Sequence, residues 1–165
     1  MGPDVTDAGR ETALQALSSR QQESLDLLAA LQRTAAFLRE CLARRLEEEV
    51  GLLPDEAGLL VGLDAAPEQR LRMADASRSL GVSKSGVTRL ADRMEAHGLI
   101  ERAACPRDRR VTYIGLTADG RDVLARAMPV LAAAAESHLA DRLTPAELHA
   151  LLSGLRRVIG AEVSG

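Results

Sequence analysis

Between Leu80 and Gly120 the chain reads LGVSKSGVTRLADRMEAHGLIERAACPRDRRVTYIGLTADG, and the order of its parts leaves few folds open. A turn of small residues comes first. Ser83 then precedes apolar residues at Val87, Leu90, Ala91 and Met94, one face of a helix that runs to about His97. Gly98 suits a left-handed helix stop. Leu99 to Ala104 and Arg110 to Leu116, rich in Ile, Val, Thr and Tyr, read as two strands joined by the polar Cys105-Pro106-Arg107-Asp108-Arg109. Thr117 can cap a helix beginning at Ala118. A helix, an arginine-tipped hairpin and a freshly capped helix in that order describe a winged helix-turn-helix.

The flanking sequence is helical. Ser19 with Gln22 resembles a capping box, and Leu25, Leu28, Leu31, Ala35, Leu38, Leu42 and Leu46 recur in steps of three and four. They predict one helix over about Arg20 to Val50, long enough that part of its stripe meets a partner chain. Gly51 ends it, and Pro54 starts a helix to Asp64 carrying Ala57, Leu60, Val61 and Leu63. After the loop Ala65 to Gln69, Leu71-Arg72-Met73 reads as a short extended segment and Asp75 to Leu80 as a short helix stopped by Gly81. The helix from Ala118 continues through Leu124, Ala127, Met128, Leu131, Ala135 and Leu139, and Pro129 is expected to kink it. Thr144-Pro145-Ala146-Glu147 is a strong start signal for a last helix presenting Leu148, Leu151, Leu152, Leu155, Val158 and Ile159. The expected fold is therefore mainly α with a small β-wing. Residues 1–19 read as a flexible leader and 20–165 as one domain. Within it, 54–116 form the winged lobe, and 20–50 with 118–160 supply the helical lobe for dimerisation.

Composition narrows the function. Aromatic residues are nearly absent, so the core must be built from Leu, Val, Ile and Ala. The net charge of −3 is unevenly spread: from Arg70 to Arg110 ten basic residues face five acidic ones, leaving that window at +5 and the remainder at −8. Local charge sets the potential that a polyanion meets. There is no run of 18 apolar residues and no secretory signal at the N-terminus. Cys41 and Cys105 make neither a disulfide framework nor a zinc site, which points to a reduced, cytoplasmic protein. No nucleophile triad, phosphate-binding glycine loop or metal cluster occurs, and His97, His138 and His149 are scattered. Neither an enzyme nor a cofactor is expected.

The polar face of the Ser83–His97 helix shows Lys84, Ser85, Thr88, Arg89, Asp92 and Arg93. Short hydroxyls near its start, with arginines one turn on, suit a helix inserted end-first into the DNA major groove. Gly86 keeps the first turn slim. Arg107, Arg109 and Arg110 crowd like charges at the hairpin tip, which an anion such as the narrow minor groove relieves, with Asp108 orienting an arginine. A winged helix used only for protein contacts is the competing class, and it needs no such arginines.

GVSKSGVTRLADRMEAHGLIERAACPRDRRVTYIGLTADGR resembles the DNA-binding lobe of MarR-type transcriptional regulators, most tellingly in Asp108-Arg109-Arg110 followed by Leu116-Thr117 and Gly120. The resemblance spans about Leu25 to Ile159. It implies a homodimer with intertwined first and last helices, binding a pseudo-palindromic operator, with repression as the common outcome. Ser85, Thr88 and Arg89 become base-reading residues, Arg110 the minor-groove arginine and Asp108 the family's wing aspartate. Leu53 stands where many relatives place a Thr or Ser cap. The resemblance also implies release by a small, often aromatic or phenolic effector bound between the dimer helices and the reading lobe. His138, Arg39, Phe37 and Met128 are candidates to line that cleft, with core packing the expected role for Phe37 and Met128 and His138 left unassigned. Some relatives sense oxidants through cysteine, and Cys105, exposed and arginine-flanked, is the residue for that alternative.

Overall fold

A computed structural model describes residues 17–104, 108 and 111–162. The elements run α1 Ser19–Val50, α2 Pro54–Asp64, β1 Arg70–Arg72, α3 Met73–Leu80, α4 Lys84–Ala96, β2 Ile100–Ala104, β3 Thr112–Leu116, α5 Ala118–Ala135 and α6 Pro145–Glu162. The chain falls into two units, residues 1–40 and 41–165, with the division inside α1. Most of the expected leader, residues 1–16, lies outside the described residues. In the first unit Leu25, Leu27, Leu28 and Phe37 are all about half exposed. No described helix is long and apolar enough to cross a membrane.

The helix starts follow local hydrogen-bond chemistry. α1 is capped one residue earlier than the sequence suggests. The Gln21 N–H donates to Ser18 Oγ at 3.3 Å, and Gln21 Oε1 accepts from the Ser18 N–H at 2.9 Å. Ser19 and Gln22 have the same spacing, but the box that closes is Ser18 with Gln21. α6 has the expected box: Glu147 Oε2 accepts from the Thr144 N–H at 2.8 Å, and the Glu147 N–H donates to Thr144 Oγ1 at 3.3 Å. Those two Thr144 donors, hydroxyl first and backbone second, hold the Glu147 carboxyl below the usual carboxylate range.

The core lies in the second unit, around α2. Leu59, Leu60 and Leu63 are fully buried, with Leu46, Val87, Met94, Ile100 and Ile114 against the same cluster. α2 buries Leu59 and leaves Val61 partly exposed. A helix apolar nearly all round belongs inside a domain. α3 begins at Met73, two residues before the predicted start, because the extended segment is a true strand at Arg70–Arg72. It pairs antiparallel with β3, Leu71 opposite Ile114, giving a three-stranded sheet in the order β1-β3-β2. Leu71 and Ile114 face the helices, while Arg70 and Arg72 face solvent.

α5 includes Pro129 and runs to Ala135, and a π-helical turn follows at Glu136–Ala140, where the Asp141 N–H reaches the Glu136 carbonyl at 2.9 Å. The first turn of α5 also lies hard against the start of β2. A Cβ on Gly120 would stand 2.0 Å from the Leu99 carbonyl oxygen, so no larger residue fits. Phe37 and Met128, expected in the core, are 46% and 48% exposed. Both lie on helix stripes that the chain itself leaves partly uncovered.

Candidate nucleic-acid interface

α3, the turn at Gly81 and α4 form the helix-turn-helix. Gly81 takes the left-handed φ of 63° that stops α3, and Ser83 then caps α4, its Oγ accepting from the Gly86 N–H at 3.1 Å. Gly86 has a more local reason than a slim profile: a Cβ there would come within 3.2 Å of Ser83 Oγ and press on the cap. The cap orders the start of α4, on whose first two turns Lys84, Ser85, Thr88 and Arg89 are exposed. These four and Ser83 share one concave surface of about 710 Å³. Ser85 Oγ lies 3.0 Å from Ser83 Oγ, and the Thr88 hydroxyl donates to the Lys84 carbonyl at 2.9 Å, so both hydroxyls are held on an exposed surface.

The charges divide into two classes. Arg102 of β2 is bound on three sides: Nη2 to Asp92 Oδ1 at 2.8 Å, Nη1 to Glu95 Oε2 at 2.6 Å, and Nη2 to the Thr88 carbonyl at 3.3 Å. It fastens the root of the wing to α4. Arg93 donates from Nε to Glu56 Oε1 at 2.6 Å, fastening α4 to α2. Arg70 lies 3.9 Å from Glu101, Arg78 pairs with Asp75, and Arg72 sits 5.9 Å from the Tyr113 ring centroid. Among the described residues, neither Lys84 nor Arg89 has an ion-pair partner. Asp75, Asp92, Glu95 and Glu101 are thus paired with Arg78, Arg102 and Arg70, and positive charge is left on the first two turns of α4.

The sequence reading named Arg93 as a DNA contact; the structure gives its Nε to Glu56. Glu56 and Arg102 were missed. The signal for Glu56 was its place three residues after Leu53, where a glutamate folds back on the helix start. Its Oε2 indeed accepts from the Leu53 N–H at 2.7 Å, compensating for a Leu53 side chain that cannot cap. The strands of the wing pair antiparallel, Ile100 opposite Leu116 and Ala104 opposite Thr112. At its tip Asp108 accepts from the Val111 N–H at 3.0 Å through its backbone carbonyl. Cys105, Pro106, Arg107, Arg109 and Arg110 lie outside the described residues. Cys41 is a free, half-buried thiol on α1. Among the described residues no group of acids, histidines and cysteines could hold a metal ion.

Comparison with known proteins agrees with this architecture. The family model described as MarR family matches residues 50–111. Sco3205 of Streptomyces coelicolor, a MarR family transcriptional regulator solved in complex with DNA, is 30% identical, with 86% of this chain and 87% of that chain covered and a TM-score of 0.72. The uncharacterized protein Rv2011c of Mycobacterium tuberculosis is 36% identical over 99 residues, 60% of this chain and 68% of that one. The transcriptional repressor MprA of Escherichia coli is 33% identical over 70 residues, 42% of this chain and 40% of that one.

Proposed function

The chain belongs to the MarR family of transcriptional regulators, and from that premise we propose that it is a repressor that binds a pseudo-palindromic operator as a homodimer. The carrying observation is the capped start of α4, where Lys84 and Arg89 stand beside Ser85 and Thr88 with no acidic partner among the described residues. Two cations left unneutralised on an exposed, ordered turn suit a polyanion better than a protein surface. Ser85, Thr88 and Arg89 read bases; Lys84 and the outer edge of Arg93 meet phosphates. Arg107, Arg109 and Arg110, with Asp108 orienting them, enter the minor groove. That Sco3205 was solved with DNA supports the same use here.

The domain division follows: residues 54–116 read, and residues 20–50 with 118–160 dimerise. The apolar surface on α6, where Leu151, Leu152, Val158 and Ile159 are exposed, supports a second copy as the partner. A small aromatic or phenolic effector releases the operator by preferring one spacing of the two reading helices. A groove of about 880 Å³ between α3, α4 and the wing root, walled by Met73, Val87 and Thr112 with Arg78, Lys84 and Arg102, is large enough for one. A regulator of this kind works in the cytoplasm, on the chromosome.

The test is selection of duplexes from a randomised pool by the purified protein, followed by titration of the enriched duplex. If six to ten phosphates are contacted, affinity falls by roughly 10³ to 10⁵ between 50 and 200 mM salt. Arg110→Ala weakens binding to every duplex, whereas Arg89→Ala costs about 1–3 kcal/mol on the enriched duplex and relaxes its sequence preference. Failure to enrich any duplex, or affinity indifferent to salt, overturns the proposal.

A further inference from the structure

Among the described residues Glu56 is the one buried charged side chain, 5% exposed, and DNA reading as proposed above gives it no task. Both its oxygens are engaged. Oε2 holds the Leu53 N–H at the start of α2, and Oε1 holds Arg93 Nε on α4 at 2.6 Å. The Arg93 side chain is 44% exposed, so the pair has one dry end and one wet end. Stability is a poor reason for such a pair. Withdrawing a carboxylate from water offsets most of its attraction to the arginine, and an apolar pair of the same volume would hold as well.

What an apolar pair cannot supply is direction. The contacts of α4 with the core, through Val87, Leu90, Ala91 and Met94, are apolar and tolerate small rotations and slides. Two polar clamps remove that freedom. Arg102 grips Asp92, Glu95 and the Thr88 carbonyl from the wing; Glu56 grips Arg93 from α2. Arg93 lies four residues beyond Arg89, about 40° away around the helix axis, so fixing one fixes the azimuth of the other. We propose that Glu56 is a positioning residue for DNA reading: through Arg93 Nε it sets the rotation of α4, and with it the direction in which Ser85, Thr88 and Arg89 meet the bases. The inference rests on the operator-binding reading and deepens it.

Electrostatics and positioning predict opposite signs, which makes the test sharp. Glu56 is an acid on the inner side of a helix that faces a polyanion, so its charge alone weakens binding to any duplex. Glu56→Gln keeps the shape and an oxygen for the Leu53 N–H but loses the ionic grip on Arg93. With the duplex enriched by the wild-type protein and a scrambled duplex of equal composition, positioning predicts roughly tenfold weaker binding of the enriched duplex. Binding of the scrambled duplex stays level or tightens. Arg93→Lys, which keeps the charge and loses Nε, shows the same loss of preference, and Glu56→Gln with Arg93→Lys is no worse than either alone. If Glu56→Gln does not fold, judged by circular dichroism, Arg93→Lys carries the test, because Glu56 then keeps its backbone bond. Unchanged or tighter binding of the enriched duplex overturns the proposal, as does an equal loss on both duplexes. Should the wild-type protein enrich no duplex, operator reading itself fails, and the two failures are told apart at that first step.

Discussion

The winged lobe and the terminal helices carry the same kind of amphipathic sequence and come to different ends. In the lobe, the stripes of α2, α4 and the sheet close on one another, and Leu60, Met94 and Ile114 are fully buried. In α6 the stripe is as regular, yet Val158 and Ile159 are 68% and 67% exposed, and in residues 19–40 Leu25, Leu27 and Leu28 are about half exposed. Apolar periodicity alone reports that a helix has a face to bury. Whether the chain itself supplies the cover is a separate fact, and exposed stripes of this length are surfaces for another molecule. The lobe closes its core within one copy; the stripes of α6 and of residues 19–40 stay partly exposed.

The largest contrast is expected between Leu60→Ala and Ile159→Ser. The first empties a site in the closed core and costs about 2–5 kcal/mol, read as a lowered thermal midpoint at any protein concentration. The second leaves the stability of an isolated subunit within about 0.5 kcal/mol and weakens self-association instead, so its midpoint depends on concentration and sedimentation shows more monomer. Equal drops for both variants at high dilution would break the comparison. Ser83→Ala removes the cap of α4 and costs about 1 kcal/mol in chemical denaturation, with DNA binding weakened beyond that through a frayed reading turn. The smallest effect concerns Glu147. Its carboxyl is held low in the folded chain by Thr144, so its contribution is present above the ordinary glutamate value and is lost as pH falls through the lowered one. Glu147→Gln therefore makes the chain slightly less stable at neutral pH, and its difference from the wild type closes as pH falls through the glutamate range. Melting curves taken from neutral pH down to about pH 3 measure it.

Much of this was legible because it is local. Pro54 to Asp64, the Ser83 cap, the Gly98 stop and the Thr144–Glu147 box each depend on residues within four positions, and each stands where the sequence puts it. The reading slipped where two candidates competed locally, as with Ser18 against Ser19, and where the partner was remote. β1 is a strand because Leu71 finds Ile114, 43 positions on, and Glu56 and Arg102 matter because of where α4 lies in space. The charges of the basic window could be counted in advance, but not sorted into those fastening the fold and those kept for a ligand. Phe37 and Met128 were assigned to a core by residue type, and residue type does not say whose core.

Arg102 has a mechanical consequence. By tying strand β2 to Asp92, Glu95 and the Thr88 carbonyl, it couples that strand to α4 like the two edges of one caliper jaw. Whatever displaces α4 therefore carries the root of the hairpin with it, and neither can be re-aimed without the other.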